Sequence, residues 1–323
     1  MKIIGLDIGG ANTKITILEG EKYKIDTHYL PMWKMKDKLV EVLKNYDADY
    51  VALVMTAELS DCYKTKKEGV EDIIDKVTSV FDNVYIFDVN GKFLTPEEAK
   101  KRYLEVSASN WMATAEFIKR FVSNNCILVD MGSTTTDIIP IKEGRVLAKK
   151  TDLDRLMNNQ LLYVGALRTP LHFLARKIIF RGKLTNVASE YFAITADINY
   201  LLGKVKNYSC ETPDGGGKDR EGCLIRLSRV VCGDIEMIKE EELYSLAKEF
   251  YKKLVEMVRE EVKIIFESYG LEEVVTVGLG EEILKEALRE YRIKSIKELY
   301  DESVSLAMPS FSVAKLLKLT LLS

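Results

Sequence analysis

Histidine is nearly absent from this chain. His28 and His172 are the only two among 323 residues. A three-histidine metal centre is therefore excluded, and acid–base chemistry falls to carboxylates, lysine or tyrosine. His172, on an apolar stretch, reads as a packing residue. Cysteine is scarce and odd in number: Cys62, Cys126, Cys210, Cys223 and Cys232, with no CxxC pair. That spacing argues against zinc and makes buried or free thiols the expectation. Glutamine occurs once, at Gln160, among many Lys, Glu and Ile residues. The bias fits a hot-living source, in which a Cys210–Cys223 disulfide would be tolerated. No apolar run approaches the roughly 20 residues that span a bilayer. The N-terminus enters a strand-like pattern at once, without a signal-peptide profile. The basic excess of a nucleic-acid binder is also missing, since 47 basic residues face 50 acidic ones for a net charge of −3. The expectation is a soluble cytoplasmic protein with no nucleic-acid and no membrane partner.

What is present is a core of adequate size. The chain is 47% hydrophobic, enough for two compact lobes. Apolar runs at 2–8, 13–18, 50–55 and 84–88 read as strands. Helical spacing falls at 36–45, 70–81 and 109–122. Thr95-Pro96-Glu97-Glu98 is a helix start, with a capping residue, Pro in the first turn and acids at the positive end. Strands then cover 127–141, with another near 145–149. The stretch 152–205 reads as mainly helical. CETPDGGGKDREGC at 210–223 reads as a loop. A long helix follows at 240–268, then a strand at 273–277 ending in Gly278-Leu279-Gly280, and a last helix at 310–322. Alternating strands and helices imply an α/β sheet protein. The expected division is an N-terminal lobe over 1–122, with the helix 306–323 packing back on it, and a C-terminal lobe over 123–305.

The chain opens MKIIGLDIGGANTKITIL and later reads ILVDMGSTTTDIIPI. Sliding the sequence by 123 positions sets Asp7 on Asp130, Gly9 on Gly132, Gly10 on Ser133, Thr13 on Thr136 and Lys14 on Asp137. Each copy is an apolar strand, an acid at its end, a turn of small residues and a second strand. Such turns suit phosphate. Glycine lets backbone amides approach an anion, and successive amides form an anion-binding nest. Asn12, Thr13, Ser133, Thr134, Thr135 and Thr136 add side-chain donors, and Lys14 adds charge. Asp7 and Asp130 would repel phosphate unless Mg²⁺ with its water shell lies between. They are the candidate metal residues. The alternative reading is a pair of ordinary β-hairpins.

The paired DxGxxxxK and DxGSTTTD hairpins resemble the two phosphate loops of the actin, Hsp70 and sugar-kinase superfamily. VVTVGLGEE at 274–282 is weakly similar to that superfamily's adenosine-side loop, which makes Gly278 and Gly280 candidate ligand residues. GLDIGGANTK, SASNWMATA, VDMGSTTTDIIPI, YVGALRTP, SEYFAITADINYLLG, TPDGGGKDR and VGLGEE, in that order, resemble the hydantoinase/oxoprolinase-related family. The resemblance implies an actin-like (ribonuclease H-like) duplicated two-lobe α/β fold with a phosphate-binding cleft between the lobes. In the branch serving methanofuran biosynthesis in methanogenic archaea, it implies a transferase. That activity condenses [5-(aminomethyl)furan-3-yl]methyl diphosphate with γ-glutamyl-tyramine, forming an aryl ether and releasing pyrophosphate. The alternatives are an ATP-dependent small-molecule kinase or hydantoinase-like ATPase, and a nucleotide-switched binding protein. ATP is a ligand only under these alternatives.

Under the transferase reading, Mg²⁺, Lys14 and the turn amides stabilise the departing pyrophosphate. The tyramine phenol, with an ordinary pKa of about 10, must lose a proton. Asp137 is the first candidate acceptor, with a turn or metal-side contact as its other reading. Asp214 and Lys218 are further candidates, on a glycine-rich loop that either closes over substrate or stays solvated. Arg168 offers its fork to phosphate or to a glutamyl carboxylate, or serves a buried ion pair. Asn110 and Trp111 open an amphipathic helix and line a pocket, or Trp111 is core.

Overall fold

The computed structural model describes residues 1–322. It divides into two compact units that interleave along the chain. The first holds Met1–Leu128, Ile139–Gln160 and Ile296–Ser323, and the second holds Val129–Ile138 and Leu161–Ser295. The division thus differs from a simple cut near residue 122. Residues 123–128, 139–160 and 296–305 belong with the first unit.

The first unit is built on a six-stranded sheet. Its strands are β1 (Lys2–Ile8), β2 (Asn12–Glu19), β3 (Lys22–Tyr29), β4 (Tyr50–Met55), β5 (Val84–Phe87) and β6 (Phe93–Leu94), in the order β3-β2-β1-β4-β5-β6. β1 is antiparallel to β2, while β1, β4 and β5 run parallel. The carboxyl ends of these parallel strands therefore lie at one edge, where ligands of open α/β sheets bind. Apolar side chains of β1 and β4 are fully buried because helices cover the sheet. One of these is Met308–Leu322. Gly5 of β1 lets it come close, since a Cβ there would lie 2.0 Å from the Ser310 carbonyl oxygen. Thr16 and Ser310 share a buried hydroxyl hydrogen bond of 2.8 Å. The Thr95 start is a complete capping box with Pro in the first turn. The region 36–45 is a short 3₁₀ turn followed by the helix Leu39–Leu43 rather than one helix.

Further strands are β7 (Cys126–Met131), β8 (Thr136–Lys142), β9 (Arg145–Val146), β10 (Leu161–Leu162), β11 (Lys177–Phe180), β12 (Lys183–Asn186), β13 (Glu273–Val277) and β14 (Arg292–Ser295). A second sheet has the order β10-β8-β7-β13-β14, with β9 paired to β8. The segment 152–205 is not mainly helical. It contains the separate hairpin β11–β12, with Phe180 opposite Lys183. Its two-residue turn, Arg181-Gly182, has φ of +50° and +70°, the geometry that matches strand twist in tight hairpins. The loop 210–223 gives way at Arg220 to the helix Arg220–Arg229, capped by Asp219. The helix Glu240–Tyr269 buries a stripe from Leu243 to Phe266 and ends at Gly270 in the left-handed conformation. Among the described residues, no helix is long and apolar enough to cross a membrane.

Candidate functional site

The two hairpins have the same internal wiring. The Gly9 amide donates to the Asn12 carbonyl at 3.0 Å, and the Gly132 amide donates to the Thr135 carbonyl at 2.9 Å. The 123-residue shift seen in sequence thus carries a shared backbone turn.

In the first hairpin, Asp7 and Lys14 are cross-strand partners. Lys14 Nζ lies 4.0 Å from Asp7 Oδ2. Burial pushes the Asp7 carboxyl up, and the Lys14 charge pulls it the other way. Asp7 Oδ1 is buried with no hydrogen-bond partner among the described residues, and so is the Thr13 hydroxyl. The turn carbonyls are held from behind, Gly10 accepting from the Met32 amide at 2.8 Å and Ala11 from the Leu30 amide at 3.0 Å. Asn12 and Gly10 remain partly exposed at the turn.

In the second hairpin, the turn Gly132-Ser133-Thr134-Thr135 is held by the YVGALRTP stretch. The Ala166 amide donates to Gly132, and the amides of Leu167 and Arg168 both donate to the Ser133 carbonyl at 3.0 and 2.9 Å. Gly165 permits this contact, because a Cβ there would lie 2.5 Å from the Thr134 nitrogen. The Thr136 hydroxyl donates to the Val164 carbonyl at 2.7 Å. The Thr195 hydroxyl donates to the Gly165 carbonyl at 2.9 Å. Thr136 is therefore a framework residue, whereas Ser133 and Thr134 keep partly exposed hydroxyls 3.3 Å apart. Arg168 Nη1 lies 3.5 Å from the Thr134 hydroxyl, which places the guanidinium at this turn. Asp137 is half-buried on β8, opposite Leu161.

The turn after β13 packs on this hairpin. Gly278 has φ +94°, and a Cβ on it would lie 2.4 Å from Asp130 Oδ1 and 2.6 Å from the Met131 carbonyl oxygen. The Gly280 amide donates to the same carbonyl at 2.9 Å. Gly278 and Gly280 thus seat Asp130.

The glycine-rich loop is anchored rather than loose. The Arg226 guanidinium donates to the fully buried Asp197 at 2.7 Å, to Asp214 at 3.1 Å and to the Gly217 carbonyl at 2.9 Å. Arg229 adds a second bond to Asp214 at 2.9 Å. Although partial burial acts upward on Asp214, the Gly216 amide and the two guanidiniums hold it below the usual carboxylate range. Lys218 donates to the Ser209 carbonyl at 3.0 Å and lies over the Tyr208 ring. Cys210 and Cys223 are separate free thiols, both buried. Burial first, and then the Asp197 charge, push the Cys223 thiol up to about 12. His172 is half-buried and within 3.0 Å of the Glu190 carbonyl through Nδ1.

Trp111 is core, with the Arg155 guanidinium 4.6 Å from its ring. Glu58, which the sequence pattern does not single out, is buried at 1% exposure. Burial pushes its carboxyl up to about 7, against the opposing pull of Lys66. Among the described residues, no group of three or more His, Cys, Asp or Glu is placed to share a metal. A metal here would take few protein ligands. The buried, unpartnered oxygen of Asp7 fits hydrated Mg²⁺, which keeps several waters and is commonly bound through one or two carboxylates plus phosphate.

Paired hairpins of this kind on α/β sheets define the actin-like class of folds. Solved structures agree on the fold. A ROK family glucokinase from Streptomyces griseus in complex with glucose and AMPPNP matches with a TM-score of 0.51 at 12% identity, over 98% of this chain and 99% of that one. Nucleotide-free acetone carboxylase matches with 0.57 at 10% identity, over 97% and 70%. The hydantoinase/oxoprolinase family model matches residues 49–319, and the chain belongs to that family. Two relatives bear the name (4-{4-[2-(gamma-L-glutamylamino)ethyl]phenoxymethyl}furan-2-yl)methanamine synthase. The one from Methanocaldococcus jannaschii is 67% identical over 321 residues, covering 98% of this chain and 97% of the relative. The one from Methanococcus vannielii is 56% identical over 212 residues, covering 63% and 96%.

Proposed function

We propose that this chain catalyses the synthase reaction for which these relatives are named. The reaction joins a furanylmethyl diphosphate to the phenol of γ-glutamyl-tyramine, forms the aryl ether and releases pyrophosphate. The observation that carries the reading is 67% identity over nearly the whole of both chains. The kinase reading rests on fold likeness, at 12% identity, and the hydantoinase-like ATPase reading on the family match alone.

The hairpin chemistry supports a diphosphate leaving group. Lys14, the Gly9-Gly10 turn and Asn12 serve phosphate oxygens in the first unit. In the second unit the Gly132–Thr135 turn and the Arg168 fork do the same. Charge grows on the leaving oxygens as the C–O bond breaks, so fixed donors there act most strongly in the transition state. Asp7 and Asp130 would hold Mg²⁺, which when bound neutralises part of the diphosphate charge. Asp137, half-buried on the strand leaving the second turn, would serve either as an acceptor for the phenol proton or as a turn or metal-side contact.

The test is direct. Purified protein given Mg²⁺, the furan diphosphate and γ-glutamyl-tyramine forms the ether and pyrophosphate without ATP. An absolute ATP requirement, or no ether under any condition tried, overturns the reading.

A further inference from the structure

A second group of buried polar atoms lies in the first unit. Glu58 sits in the turn Ala57–Leu59 that follows β4. This turn borders the first hairpin. The Thr56 amide donates to the Ile8 carbonyl at 2.9 Å, and a Cβ on Gly10 would be 3.5 Å from the Ser60 hydroxyl. Glu58 Oε1 is 3.9 Å from Lys66 Nζ. The backbone amides of Glu58 itself and of Ala108 donate toward its carboxylate, and Asp152 is the nearby charge of like sign. Oε2 has no hydrogen-bond partner among the described residues.

Ala108 is held at φ +49°, a costly conformation for a residue with a Cβ. It leads directly into the helix Asn110–Phe121. At that helix start the Ser109 hydroxyl and Trp111 Nε1 are also buried without a partner among the described residues. Folded proteins rarely leave such atoms unsatisfied, because each forfeits its hydration for nothing. Here a carboxylate oxygen is left over on Glu58, and a hydroxyl and an indole N–H are left over at the helix start that follows Ala108, whose amide donates toward Glu58. A ligand with both a donor and acceptors would satisfy them. A phenol is such a ligand.

We infer that Glu58 is the proton acceptor for the phenol of the second substrate, its Oε2 receiving the phenol hydrogen at the carboxyl edge of β1 and β4. The inference rests on the proposed synthase reaction. The phenol O–H bond breaks and its proton passes to Glu58. The phenol oxygen's electron pair forms the new bond to the furanylmethyl carbon, the C–O bond to diphosphate breaks, and pyrophosphate departs with that electron pair. Glu58 then loses the proton to solvent. Two other acids, Asp7 and Asp214, are less suited. Asp7 is paired with Lys14 beside the phosphate turn, and Asp214 is held by two arginines. Burial keeps Glu58 a much stronger base than an ordinary carboxylate, against the pull of Lys66 and the two amides and with Asp152 acting in the same sense as burial.

The experiment compares acceptors and variants in the coupling assay. Wild-type turnover with γ-glutamyl-tyramine rises with pH through an acid limb near pH 7. With a ring-fluorinated acceptor whose phenol is ionised at the assay pH, that limb disappears. Glu58→Gln lowers turnover 100-fold or more with the parent acceptor and regains at least tenfold with the fluorinated one. Its affinity for Mg²⁺–pyrophosphate stays at the wild-type value. Glu58→Asp keeps a displaced limb, so a misfolded Gln variant leaves the question decidable. If wild type couples the substrates but neither the limb nor the fluorinated acceptor distinguishes these proteins, Glu58 is not the acceptor. If wild type fails to couple, the synthase reading itself falls.

Discussion

Lys14 reaches across the first hairpin to Asp7, Nζ to Oδ2 at 4.0 Å, and leaves the other Asp7 oxygen buried without a partner. A carboxylate so placed is costly to the apoprotein and useful only if a cation or donor arrives. Asp7→Asn removes that cost. Burial raises the folded-state pKa of Asp7. The native state therefore holds the Asp7 proton more tightly than the unfolded chain does, and stability falls as pH rises through the interval between the two values. The variant lacks this loss. Thermal unfolding at pH 8 without metal is expected to show Asp7→Asn at least as stable as wild type. Coupling activity is expected to drop by about 100-fold or more, the scale of losing an electrostatic contact to the leaving group.

Gly278 is a position where only glycine fits. Gly278→Ala places a methyl group 2.4 Å from Asp130 Oδ1 at φ +94°. The turn or Asp130 must shift. The expected destabilisation exceeds about 2 kcal/mol, with coupling activity falling in step as Asp130 is displaced. Gly270→Ala is the control. Its φ is +61° but a Cβ there meets nothing, so its cost is about 1–2 kcal/mol, with activity unchanged. Urea midpoints of the two variants separate the terms.

Much of this arrangement is legible in the residues, and the reasons for the remainder are physical. The hairpins announce themselves because an acid followed by a turn of small residues recurs in matched register 123 residues later. The Gly9–Asn12 and Gly132–Thr135 bonds are the structural form of that recurrence. YVGALRTP stands out as a motif, but its role as the cradle of the second turn depends on tertiary approach at Gly165. The β11–β12 hairpin is masked because KIIF and KLTN are too short to separate period two from helical spacing. Glu58 carries no sequence signal at all. A lone Glu between Ala57 and Leu59 looks like any turn acid, and only its burial against Lys66 and Ala108 marks it.

Arg226 joins Asp197 to the glycine-rich loop through Asp214. Both members of the inner pair are fully buried. Removing one partner leaves a buried charge uncompensated, which costs about 3–5 kcal/mol. Arg226→Met is expected to lose stability on that scale, and limited proteolysis is expected to nick the freed loop at 210–223. Adding Asp197→Leu to Arg226→Met recovers most of the loss, because the orphaned carboxylate is gone. Chemical denaturation of the single and double variants measures both outcomes.

Glu58 makes an opposite pair of expectations for stability and for rate. Its folded-state pKa is raised to about 7 from an ordinary 4.5. Below the ordinary value, both folded and unfolded chains hold the proton and the group is neutral in its effect on pH dependence. Between that value and about 7, only the folded chain holds it, so each rise in pH lowers stability until the folded carboxyl ionises as well. Above pH 7 the protein carries the full cost of a buried, ionised Glu58, on the order of 3 kcal/mol for a shift of this size. Glu58→Gln never pays it. Relative to wild type, the variant is therefore expected to gain thermal stability on going from pH 4.5 to pH 8, while losing coupling turnover at pH 8. Melting curves at these two pH values, run beside the coupling assay, check the pairing. A variant whose stability advantage does not grow with pH would show that the carboxyl at Glu58 is not raised in the folded protein.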